Sequence, residues 1–227
     1  MPTPALPIGE CLAQAARHTF LRPLAALRAF WPLFCAETAG ALLRDDLWRL
    51  GALSVALALA IPCACAWHRH LIAQAAPRLQ LGFPEWRYLK RALLITVQLV
   101  AILLPFTFAS VLLREDAFAI SLAFLAAGLA LATWVTAPAM LTLAAAALNL
   151  DLPAPALTAL IKGNRGRLFA LLFVTAAAEI LLSMATDRFG ASAAPARLAV
   201  TIVFWPLAVA MLSMAYVWLT RTTAASA

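Results

Sequence analysis

The chain has 227 residues, 65% of them hydrophobic and only 12% charged, and a net charge of +7. Ordinary soluble domains are roughly 45–50% apolar and about 25% charged, so this composition excludes a surface that faces water throughout. The bilayer is the expected solvent, and its core takes about 20 apolar residues per spanning helix.

Residues 8–22, IGECLAQAARHTFLR, predict an amphipathic helix. Leu12, Ala15, Ala16, Thr19 and Phe20 share one face, with Glu10, Gln14, Arg17 and His18 elsewhere. Such a helix commonly lies in the interface plane, so residues 1–22 read as an N-terminal interfacial segment. Arg17, Arg22 and Arg28 stud the first 30 residues, which do not follow the basic, apolar and small-residue order of a secretory signal.

Residues 23–227 read as a six-helix transmembrane domain, with spans at 23–42, 47–69, 89–113, 117–148, 168–187 and 196–220. The first holds Arg28, Pro32 and Glu37. A central charge costs about 2.5–3.5 kcal/mol on the insertion scale, but both charges lie off-centre, where they can snorkel. The fourth span is longer than one crossing needs and is expected to tilt. The fold class expected is therefore all-α, a polytopic membrane helix bundle of six transmembrane helices plus an N-terminal amphipathic helix.

The basic residues set the orientation. With the N-terminus inside and six crossings, the inner segments carry Arg17, Arg22, Arg28, Arg69, Arg78, Arg87, Lys90, Arg91, Lys162, Arg165, Arg167 and Arg221. The outer segments keep Arg44, Arg49, Arg114, Arg188 and Arg197 beside Asp45, Asp46, Glu115, Asp116 and Asp187. If the first span does not cross, the bias almost vanishes. The positive-inside rule thus favours six crossings with both termini cytoplasmic. A weak internal repeat accompanies this layout: Pro62 precedes Arg91 by the same interval as Pro138 precedes Arg167.

The run IPCACAWHRHLI, 61–72, offers Cys63, Cys65, His68 and His70. Structural zinc sites usually space cysteines by two to four residues, and catalytic pairs of histidines fall at i and i+4. Neither spacing occurs, nor does the C-x-x-C-H pattern of covalent haem attachment. On a helix each pair points to opposite sides. We therefore expect no metal and no cofactor. Cys11, Cys35, Cys63 and Cys65 read as reduced thiols, Trp67 as an aromatic-belt residue, and His68, Arg69 and His70 as groups reaching anionic headgroups. His68 is the histidine that could otherwise ligate a haem or pigment. Arg87, Lys90, Arg91, Lys162, Arg165 and Arg167 extend the candidate headgroup-binding set.

Glu179 is the main candidate for an intramembrane site. Thr175, Glu179, Ser183 and Thr186 form one polar stripe. A carboxylate there must be protonated, paired or beside a wet cavity. It could relay a proton or cation, or simply be hydrogen-bonded to Gln98, Thr133 or Thr136. Gln98 is also a candidate for interhelical hydrogen bonding. The segment IKGNRGRL, 161–168, breaks one helix at Gly163-Asn164 and anchors the next with Arg165 and Arg167. No phosphate-binding loop, nucleophile elbow or zinc-protease helix is present.

The order P…AWHR closing one helix, YLKRAL opening the next, AP within the fourth and KGNRGRLF opening the fifth resembles a group of uncharacterised bacterial inner-membrane proteins. These are similar to the YciC-like family and to the membrane domain attached to some glycerophosphodiester phosphodiesterases. The resemblance covers about residues 45–190. It implies a six-helix integral membrane fold with no established catalytic residues. Such proteins often carry an acidic residue after the WHR segment, where this chain has Ala73 and Gln74.

The expected function is non-enzymatic. The chain reads as an accessory or scaffold subunit of the bacterial inner membrane, packing against a larger membrane complex, another copy of itself, or lipid. Nucleic acid is not an expected partner. The alternative is a small transporter or channel in which Glu179 and Gln98 line the route.

Overall fold

In lipid every backbone N–H needs a partner within its own segment, so long apolar runs fold as helices. The structure, a computed structural model, describes residues 4–43, 46–113, 117–187 and 193–226, and every regular element among them is an α-helix. In chain order these are α1 (Ile8–Phe20), α2 (Pro23–Leu42), α3 (Asp46–Ala73), α4 (Phe83–Leu112), α5 (Phe118–Ala147), α6 (Ala154–Ile161), α7 (Arg165–Asp187) and α8 (Ala193–Ser226).

Five of them, α3, α4, α5, α7 and α8, are long and apolar enough to cross a membrane. Helix α2 has 20 residues but carries Arg28, Pro32 and Glu37, and it is not among the five. The outer charges Arg44, Asp45, Arg114, Glu115, Asp116 and Arg188 lie outside the described residues, as do the side chains of Asp46, Arg49, Asp187 and Arg197.

Local chemistry ends several helices. Gln74, Asn149 and Gly163 take left-handed backbone conformations just beyond α3, α5 and α6. At Asn149 the Leu150 N–H reaches back to the Ala145 carbonyl, the 6→1 bond of a Schellman stop. Helices α2 and α4 have proline in their first turn, where its missing N–H costs no helical bond.

The packing has a hub. Helix α8 lies against α1, α2, α3, α5 and α7, whereas α2 pairs chiefly with α3, and α4 with α5. Phe30, Leu33, Trp67, Leu141, Leu168, Met211 and Leu219 are fully enclosed between these layers. Trp67 does not sit in an aromatic belt. Its Nε1 donates to the Pro206 carbonyl at 3.0 Å, and its ring meets Phe30 edge-on. Helix α3 is apolar around most of its circumference, so its sequence does not reveal which side faces the core.

Helix α1 is likewise turned from the expected orientation. Cys11, Ala15 and Thr19 pack inward, while Leu12 and Phe20 are exposed. Its inner side rests on α8, so contact with protein and not with the bilayer decides the register. Burial, aided by neighbouring Glu10, pushes the Cys11 thiol up to about 11.

Gly128 permits the close approach of α5 to α4. A Cβ at this position would lie 2.7 Å from both Cβ and Cγ of Phe106. Gly128→Ala is therefore expected to destabilise the chain by about 1–3 kcal/mol, the usual cost of overpacking, despite alanine's better helix propensity. Phe106→Ala should not fully rescue it, because the Phe106 Cβ is itself too close. Thermal unfolding of both variants in detergent checks this.

Candidate functional site

Two groups of residues are candidates: the polar stripe on α7 and the cationic end of the bundle. On α7, Thr175 Oγ1 donates to the Leu171 carbonyl at 2.8 Å and lies 3.6 Å from Met211 Sδ on α8. Thr186 Oγ1 donates to the Ser183 carbonyl. Glu179 and Ser183 are half-buried, and Glu179 has no hydrogen bond or ion pair among the described residues. Thr136 Oγ1 is committed to the Ala132 carbonyl on its own helix.

Gln98 lies elsewhere. It is exposed midway along α4, which packs chiefly on α5, while α7 lies against the other neighbours α5 and α8. The stripe Thr175, Glu179 and Ser183 is thus continuous on one helix, and Gln98 is not alongside it.

The cationic end is assembled from three parts of the chain. The Leu6 N–H donates to Asn164 Oδ1 at 2.6 Å, Asn164 Nδ2 donates to the Pro4 carbonyl at 3.0 Å, and Arg167 Nη1 donates to the Leu6 carbonyl at 3.0 Å. These bonds strap the N-terminal segment to the α6–α7 connection. Arg91 pairs with Asp151 at 2.6 Å, joining the start of α4 to the segment after α5. Arg69, near the end of α3, pairs with Glu85 in the first turn of α4 at 2.6 Å.

Most of the expected headgroup-binding cations therefore have partners within the chain. Arg87 lies over the Phe83 ring, Lys90 over Trp86 and Arg165 over Trp134, each within the range of a cation–π contact. His70 stacks on Trp67 and donates through Nδ1 to the Ala75 carbonyl. Lys162, Arg165 and Arg167 remain exposed.

His68 is a correction to the set, since it is wholly enclosed and cannot reach a headgroup. The Ser213 hydroxyl donates to the Val209 carbonyl, so His68 Nδ1 must donate to Ser213 Oγ, 2.8 Å away. Its Nε2 is buried without a hydrogen-bond partner among the described residues, beside the Tyr88 ring. Among the described residues no group of three or more His, Cys, Asp or Glu is placed to hold a metal.

Glu85, Asn164 and Ser213 were not apparent as partners. Glu85 had a local signal. It lies three residues after Gly82, just before an apolar run, and its Oε2 accepts the Gly82 N–H at 3.0 Å, half of a capping box. Its second partner, Arg69, and the partners of Asn164 and Ser213 are set by tertiary packing. The carboxylate near the WHR segment thus comes from the next helix. Comparison of the chain with known protein families, curated proteins and solved structures finds no match.

Proposed function

We propose that the chain is a non-enzymatic integral membrane protein of the bacterial inner membrane, an accessory or scaffold subunit that packs against a larger membrane complex or lipid. One observation carries this reading. Helix α4 packs on α5 along one side, but its other side is left uncovered by the described residues and exposes Gln98 at mid-span. Leu94, Val97, Gln98, Ala101, Leu104 and Phe108 recur at three- and four-residue intervals along that face, the spacing of a helix–helix seam. An amide in hydrocarbon is costly without a partner, and a neighbouring helix can supply one.

In this reading α2 also crosses, giving six spans with both termini cytoplasmic. Support comes from the bonds that gather the N-terminal segment, the α3–α4 connection and the α5–α7 connection at one end. Those parts hold most of the chain's basic residues, as the positive-inside rule asks of a cytoplasmic face. Gentle extraction is expected to recover a stoichiometric membrane partner, or a second copy, and Gln98→Leu should weaken that association while leaving the fold intact. A lone monomer in mild detergent, or association indifferent to Gln98→Leu, would overturn the proposal.

A second reading, a small transporter or channel, is favoured by Glu179, which stands half-buried and unpartnered among the described residues. There Glu179→Gln abolishes a measurable flux without loss of assembly; an unchanged flux removes the idea.

A further inference from the structure

Two adjoining hollows open where α1 turns into α2. The first, about 430 Å³, is lined by Arg22, Arg28 and His70 with Leu21, Ala25 and Pro77. The second, about 270 Å³, runs between α2 and α8 and is lined by Thr19, Leu27, Phe34, Ile202, Val203 and Pro206. Pro23 and Leu24 border both, and neither hollow has an Asp or Glu in its wall.

The hollows differ in chemistry. The first is cationic, and no side chain caps the α2 N-terminus that opens into it, so the helix dipole adds to its positive potential. Desolvation first, and then the charges of Arg22 and His70, hold neighbouring His18 below the ordinary imidazole range. The second is apolar except for Thr19. This residue is 6% exposed, and its hydroxyl is buried without a hydrogen-bond partner among the described residues. From Pro23 to Phe34 the groove follows eleven residues of helix, about 16 Å. That is roughly half of the ~30 Å hydrocarbon core, the depth of one leaflet.

We propose that this corner binds one anionic glycerophospholipid, with its phosphate among Arg22, Arg28 and His70, its ester region at the Thr19 hydroxyl and one acyl chain in the α2–α8 groove. A phosphate supplies the charge the first hollow lacks, an ester oxygen accepts the orphan hydroxyl proton, and a chain fills an apolar channel one leaflet deep. The inference rests on the membrane reading above, in which α2 crosses from the cationic end.

The test uses the full chain in mild detergent, with native mass spectrometry of retained lipid. Dioleoyl phosphatidylglycerol and dioleoyl phosphatidylcholine are offered together, then each in competition with inorganic phosphate. The intact chain is expected to retain phosphatidylglycerol selectively. Arg22→Gln with Arg28→Gln, both exposed positions, should reduce that selectivity about tenfold or more, at roughly a headgroup-distance cation's worth each. Thr19→Val should weaken retention severalfold, and Val203→Phe, which fills the groove, should weaken it with the cations intact. Arg78→Gln with Arg221→Gln, both exposed and outside the hollows, should leave it unchanged.

Equal loss with the Arg78 and Arg221 variant would show a general surface-charge effect and overturn the site. Displacement by inorganic phosphate at comparable concentration would overturn the lipid assignment. Undiminished selectivity in the Arg22 and Arg28 variant would do the same. Loss of selectivity with partner association kept separates this inference from the scaffold reading, which fails instead when the partner is lost and selectivity stays.

Discussion

Glu85→Ala is expected to lower the stability of the folded chain by about 3 kcal/mol, the low end of the range for breaking a buried ion pair. The Glu85 side chain is 5% exposed and that of Arg69 18% exposed. Removing the carboxylate leaves the guanidinium largely enclosed with no opposite charge, and it also deprives the Gly82 N–H of its acceptor. The low end applies because Arg69 keeps some access to its surroundings. Glu85→Gln retains the shape and the acceptor but not the charge, and should cost less. Replacing both residues together, Arg69→Met with Glu85→Leu, should recover most of the loss, because no unpaired charge then remains. Thermal denaturation in detergent, followed by circular dichroism, orders the three variants. A loss below about 0.5 kcal/mol for Glu85→Ala would mean that the pair behaves as an exposed one.

Asn164→Ala is expected to cost about 2–3 kcal/mol and to release the N-terminal segment. The amide is 1% exposed and bonds the Leu6 N–H and the Pro4 carbonyl at once. Its loss strands a buried N–H, which by itself costs about 1–3 kcal/mol. Arg167 still holds the Leu6 carbonyl, so the strap should loosen and not vanish. Asn164→Asp keeps an acceptor for Leu6 but cannot donate to Pro4, and should fall between alanine and the native residue. Limited proteolysis reads the result directly. Cleavage around residues 4–22 should accelerate in the alanine variant while the remaining helices resist. Unchanged proteolysis would show that packing of α1 on α8 alone holds the segment.

The sequence announced the helices better than their neighbours. The apolar run at 23–42 coincides with α2, and the other spans lie inside α3, α4, α5, α7 and α8 or overlap them within a residue or two. The largest differences fall at the cationic ends. Residues 83–88, 70–73 and 165–167 continue as helix, although their polar side chains read as loop. Hydropathy marks the apolar slab, whereas the backbone goes on hydrogen-bonding beyond it. The break at Gly163-Asn164 correctly marked the end of a helix, and α6 (Ala154–Ile161) is that helix, too short to be read as a span. Membrane class and helical content were thus legible, whereas a crossing by α2 rests on an inference from charge alone.

Side-chain direction was not. Trp67 and His68 sit on a helix with apolar residues nearly all round, and no period distinguishes their faces. Their partners Pro206 and Ser213 are far away in the chain. Glu179 was legible as an unusual carboxylate, but its separation from Gln98 depends on α5 standing between the two helices. Polar groups that meet only after packing leave no spacing signal, which is why Glu85 and Asn164 emerged with the fold.

The four thiols differ in one useful respect. Cys11, Cys63 and Cys65 are enclosed, and Cys35 alone is exposed. A methanethiosulfonate nitroxide should therefore attach at one position without engineering. Cys35 lies twelve residues into α2, about 18 Å along the helix axis. If α2 crosses the bilayer, paramagnetic oxygen dissolved in the lipid will broaden the label's signal far more than an aqueous nickel chelate; if α2 lies flat on the surface, the order reverses.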